Sequence, residues 1–151
     1  MHFLGMPQHP LATIGYESET QQQVIERLKA ARIDTLIDVR AIAASRRAGF
    51  SKSLLASSLA EAGIEYIHLR QLGTPKAGRD AARHGRIAEM TAIYEGHLAE
   101  PTAQVELARA TAMAEDRRVA LLCYEQDANC CHRKIVAAHI RERLHCQIVD
   151  L

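Results

Sequence analysis

Val119 to Cys123, Val-Ala-Leu-Leu-Cys, is an unbroken apolar run. A strand that faces water on one side alternates polar with apolar residues, whereas a continuous run belongs to a strand covered on both faces, as in a parallel sheet under helices. Ile135, Val136, His139, Ile140 and Leu144 then recur at helical spacing. The same alternation extends back along the chain. Leu11–Gly15, Thr35–Val39 and Ile64–Leu69 read as further strands, with a last short one at Gln147–Val149. Helical patterns lie between them. Val24, Ile25 and Leu28 follow a start signal at Ser18 or Thr20, and Leu54, Leu55 and Leu59 follow Ser51 or Ser53 and end at Gly63. Ile87, Met90, Ile93 and Tyr94 mark a third helix, and Pro101 opens a fourth through Val105, Leu107 and Met113. The fifth follows Asn129. Gln71–Gly78, with two glycines and Pro75, reads as a loop. Five strands alternating with five helices predict a single three-layer α/β domain over residues 1–151, its sheet mostly parallel and its helices on both faces.

The totals agree with one soluble domain. A chain of 151 residues buries roughly two thirds of the surface of its unfolded form. Hydrophobic residues make up 48%, which excludes general disorder, while 4% aromatic content without Trp leaves an aliphatic core. A formal charge of +1 supplies no overall field for nucleic acid or an anionic membrane, so a dedicated nucleic-acid binder is not favoured. Local patches remain available from Arg46, Arg47 and Lys52, and from Arg79, Arg83 and Arg86. No segment approaches the eighteen or so apolar residues of a membrane helix. Four cysteines without regular spacing, and no charged-then-apolar leader, are read as reduced and cytoplasmic.

Chemistry concentrates where strands end. Between the fourth strand and the last helix stand Cys123, Glu125, Asp127, Asn129, Cys130, Cys131, His132 and Arg133. Ligands of open α/β sheets sit outside the carboxyl ends of the strands, where the next helix presents free N–H groups. With Asn129 as N-cap, Cys130, Cys131 and His132 form the first helical turn. A cysteine so placed beside His and Arg can have its pKa lowered, so Cys131 and Cys123 are candidate nucleophiles, with Glu125 and His132 as base and acid. A Cys-x5-Arg loop is excluded, since Asn129 stands six residues after Cys123, and Cys-x-x-Cys is absent. Zinc held by Cys123, Cys131, His132 and Cys146 lacks the paired short spacings of structural zinc modules, so no metal site is expected. The motifs name no cofactor.

A second group follows the second strand: Asp38, Arg40, Arg46 and Arg47. Arg40 and Arg46 offer forked contacts to phosphate or carboxylate with Asp38 as orienter, or else Asp38 and Arg40 form a structural ion pair. Gly15 and Tyr16 end the first strand and His68 the third, on the same presumed edge. Gly73 to Arg79 has the glycine spacing of a phosphate loop but lacks its Lys-Ser/Thr ending.

Four stretches, TIGYES, LIDVRAIAASRRAGFSK, AGIEYIHLRQLGTPK and LLCYEQDANCCHR, taken in order, resemble the bacterial and archaeal domain-of-unknown-function 488 family. The likeness spans nearly the whole chain. It implies an α/β fold and marks Tyr16, Asp38, Arg40, Arg46, His68, Cys123, Glu125, Cys131, His132 and Arg133 as matching positions. Ala41–Ala44 departs from it, lacking the proline often found there, and Ser18 replaces a common glycine. The family supplies no reaction. The expectation from the residues is a small anionic ligand, a nucleotide or another phosphorylated metabolite, bound at the carboxyl edge by Tyr16, Asp38, Arg40, Arg46, His68, Asn129 and Arg133. Hydrolysis or group transfer at Cys131 or Cys123 would accompany it. The rivals are a nucleic-acid accessory protein and a thiol redox or metal-responsive protein.

Overall fold

The computed structural model describes residues 9–125 and 132–151. Five strands, β1 (Leu11–Gly15), β2 (Thr35–Asp38), β3 (Glu65–His68), β4 (Val119–Cys123) and β5 (Ile148–Asp150), form one parallel sheet in the order β3-β2-β4-β1-β5. Apolar continuity sorts the strands by position. Every residue of β1, β2 and β4 is buried, whereas the edge strands β3 and β5 are partly exposed.

Among the described residues six α-helices cover the sheet: α1 (Gln21–Ala30), α2 (Lys52–Glu61), α3 (Lys76–Arg83), α4 (Ile87–Leu98), α5 (Pro101–Asp116) and α6 (Arg133–Leu144). Right-handed crossovers dictate their faces. From β1 to β2 to β3 the chain steps one way across the sheet, so α1 and α2 share a face. It then returns through β4 to β5, which sends α3 to α6 to the other. The two core clusters divide accordingly: Val24, Leu28, Leu55 and Leu59 pack with Ile14 and Leu36 on one side, and Met90, Tyr94, Leu107, Val136 and Ile140 pack with Ile37 and Leu121 on the other. Among the described residues no helix is long and apolar enough to cross a membrane.

Three expectations need correction. The sixth helix, α3, lies partly inside the expected Gln71–Gly78 loop; a 3-10 turn at Arg70–Leu72 precedes it. Its buried face is made by Gly78 and Ala81, too small to show a hydrophobic period. Ser51 does stand at the start of α2, but its hydroxyl makes no cap; it binds the Ser45 carbonyl instead and accepts from Ser45 N. Finally, α6 begins at Arg133, later than the first turn expected from Asn129, which lies outside the described residues. Thr20, by contrast, opens α1 with a full capping box, its Oγ1 accepting from Gln23 N at 3.1 Å while the Gln23 side chain accepts from Thr20 N at 2.9 Å.

Candidate functional site

Register puts the carboxyl ends of the central strands in one row: Gly15 pairs with Cys123, and Asp38 with both Leu122 and His68. The helix that follows β4, α6, lies on one face, while α1 and α2, which follow its neighbours β1 and β2, lie on the other. Divergence of adjacent connections opens a crevice, the usual ligand position in such sheets. A cavity of about 540 Å³ lies here, lined by Tyr16 after β1, Arg40, Ile42, Arg46 and Arg47 after β2, Thr74, Arg79 and Arg83 on and before α3, Cys123 at the end of β4, and Tyr124, Glu125 and His132 beyond it.

The floor is an ion pair out of water. Asp38 is fully buried and Arg40 nearly so. Arg40 Nε donates to Asp38 Oδ1 at 2.9 Å and Nη2 to Oδ2 at 2.7 Å, while Nη1 donates to Tyr16 Oη at 2.9 Å and to the Phe50 carbonyl at 2.7 Å. Burial works against this charge, but the hydrogen bonds and attraction of Asp38 outweigh it and hold the guanidinium above its ordinary pKa. Four of its five N–H groups are thus engaged within the protein. Tyr66 Oη adds a 2.5 Å bond to Asp38 Oδ2, and burial followed by the Asp38 charge raises its pKa. Arg40 is therefore a clamp that joins β2, Tyr16 and the loop ahead of α2.

That loop carries the arginines with spare donors. Ser45 and Ser51 tie it together, Lys52 N donates to the Ala43 carbonyl at 2.8 Å, and Gln21 Nε2 to the Gly49 carbonyl at 2.7 Å. Arg47 donates from Nη2 to the Glu19 carbonyl, yet its Nε is buried without an acceptor among the described residues. Arg46 is exposed and makes no hydrogen bond or ion pair among them. From α3, Arg79 Nη1 donates to the Thr74 carbonyl at 2.8 Å, and Arg83 pairs with Asp80 at the surface. Among the described residues Glu125 is the one carboxylate lining the cavity.

Around β4 the side chains lock one another. Arg133 is fully buried, donates from Nη1 to the Glu125 carbonyl, and lies 3.2 Å from Cys123 Sγ. A Cβ on Gly15 would collide with that carbonyl and with the Arg133 guanidinium, so Gly15 admits the protein's own backbone rather than a ligand. Burial raises the Glu125 pKa, partly offset by Arg133. His132 donates from Nε2 to the Val39 carbonyl at 2.6 Å, leaving Nδ1 as its basic nitrogen, and burial drops its pKa to about 4. His68 donates in the same way to the Arg40 carbonyl at 2.7 Å.

Of the sequence-derived candidates, the cavity brings together Tyr16, Arg40, Arg46, Cys123, Glu125 and His132. Asp38, His68 and Arg133 stand behind it as supports. Asn129 and Cys131 lie outside the described residues. Cys146 is free and buried, with a raised pKa, and Cys123 is disulfide-bonded. No group of three or more His, Cys, Asp or Glu side chains arranged for a metal ion occurs among the described residues. Sequence reasoning left out Tyr124, discounted Thr74 and Arg79 together with the glycine stretch that holds them, and saw Arg83 only as part of a basic surface patch; the signal for Arg79 and Arg83 was their spacing of four on one helix face.

No curated protein and no solved structure matches the chain. A family model described as "Domain of unknown function DUF488" does match, over residues 20–140, which includes every cavity-lining side chain except Tyr16 and leaves the conclusion that the chain belongs to the DUF488 family.

Proposed function

We propose that the protein binds a small anionic ligand, a nucleotide or another phosphorylated metabolite, in the cavity at the carboxyl edge of its sheet. The observation that carries this reading is an excess of guanidinium over carboxylate among the described residues: Arg46, Arg47, Arg79 and Arg83 line the cavity with Glu125 as the one acidic side chain of that set, and the buried Nε of Arg47 meets no acceptor within it. A buried donor without an acceptor is costly unless a ligand or water completes it. Arginine forks suit phosphate oxygens.

Hydrolysis or group transfer is the reaction class that fits such a site. Glu125 is the better proton carrier, because burial lifts its pKa above the ordinary carboxylate value, whereas His132 at about 4 is too weak a base to hold a proton near pH 7. A thermal-shift screen of phosphorylated metabolites tests the binding reading on wild type beside Arg46→Ala and Arg79→Ala. Ligands that stabilise the wild type should stabilise both variants less. Equal stabilisation of all three proteins, or of none, contradicts it.

A second reading, thiol redox chemistry, draws on the disulfide at Cys123. Mass-spectrometric alkylation before and after a thiol reductant tests it: Cys123 should be labelled only after reduction, and labelling of the untreated protein would count against it.

A further inference from the structure

We infer that the ligand carries a planar ring and that Tyr124 selects it, a step that rests on the anion-binding reading and narrows it to nucleotide-like phosphate esters. Five large apolar side chains are conspicuously exposed among the described residues, and two of them, Ile42 at 61% and Tyr124 at 44%, line this one cavity. Single exposed apolar residues are ordinary; a pair sharing a cavity with five arginines is a different arrangement.

Tyr124 is also held in place from behind. Its ring meets Tyr16 edge-on, with centroids 5.4 Å apart and planes at 82°. Tyr16 is in turn stacked on Phe50 at 4.2 Å and 11°, and its hydroxyl accepts from Arg40 Nη1. Tyr16 N donates to the Tyr124 carbonyl at 3.1 Å, fixing the backbone as well. The Tyr124 hydroxyl makes no hydrogen bond among the described residues, so the ring is oriented without being satisfied. Thr74, 4% exposed, lines the same cavity and its hydroxyl likewise makes no hydrogen bond among them.

Ligand chemistry follows from what each half needs. Inorganic phosphate would occupy the arginines and leave the Tyr124 and Ile42 surfaces wet. An uncharged aromatic would cover those surfaces and leave the guanidinium donors dehydrated without acceptors. A phosphate ester bearing a flat heterocycle satisfies both, and 540 Å³ lies within the range of small-molecule sites.

Calorimetric titration of adenosine and cytidine 5′-monophosphates, ribose 5-phosphate and adenosine tests this. Wild type should bind at least one of the two nucleotides about tenfold or more tighter than ribose 5-phosphate. Tyr124→Ala should abolish that preference while leaving ribose 5-phosphate affinity unchanged, and Tyr124→Phe should retain it. Equal affinities for both nucleotides and ribose 5-phosphate in the wild type, or a preference that survives Tyr124→Ala, overturns the ring assignment and leaves anion binding standing. Adenosine binding as tightly as its monophosphate, or no binding by any of the four, overturns both.

Discussion

At the scale of single residues, the site is defined by which polar groups the protein satisfies itself. Arg40 and Arg46 look equivalent in sequence, each an arginine soon after β2. The fold separates them: Arg40 spends its donors on Asp38, Tyr16 and Phe50, and Arg46 spends none among the described residues. The sequence offers an Asp38–Arg40 ion pair as one alternative but does not decide for it, because the remaining acceptors, Tyr16 and Phe50, come from distant segments. Glu125 and His132 carry the electrostatic cost. The raised Glu125 pKa means that the folded state holds the proton more tightly than the unfolded chain, so stability is lost as pH rises through that range. Glu125→Gln is therefore expected to raise the urea midpoint at pH 8 and to change it little at pH 4. His132 runs the other way, its proton being held more tightly by the unfolded chain. Stability should fall as pH drops from 6.5 toward about 4, by up to about 3 kcal/mol at 1.36 kcal/mol per pH unit. Urea titrations of wild type and His132→Asn across this window check it: the variant should lack that part of the slope.

Elements set where these residues meet. The strands were legible because each buried run is either continuously apolar or ends at a Gly, Asp or Cys that breaks it, and β1, β2 and β4 lie within a residue of their expected ends. α3 was not legible, since Gly78 and Ala81 bury a helix face without a large side chain, and Gly73, Pro75 and Gly78 make the stretch around its start resemble a loop. That omission hid Arg79 and Arg83 from the site. At the end of β1, Gly15 lets the chain after β4 pass close enough for Arg133 to reach the Glu125 carbonyl. Gly15→Ala would force this connection outward and is expected to cost about 1–3 kcal/mol or more in chemical denaturation. A loss below about 0.5 kcal/mol would show that the connection is not held there.

For the whole molecule, topology does the assembling. Reversal of the strand order sends the connection after β4 to the opposite face from those after β1 and β2, so residues from four distant segments converge on one crevice. The alternation of strands and helices makes that edge, with Arg40 and Arg46 on it, readable from the sequence, whereas the places of Arg79, Arg83 and Tyr124 depend on the three-dimensional arrangement. Anion capture at this crevice is the claim that all else extends. Its most direct measurement is an anomalous difference map from a crystal soaked in tungstate, a heavy-atom stand-in for phosphate. The account expects a peak in the cavity within hydrogen-bonding reach of Arg46 or Arg47; a map whose peaks lie only elsewhere on the surface, with the cavity open to solvent, would contradict it.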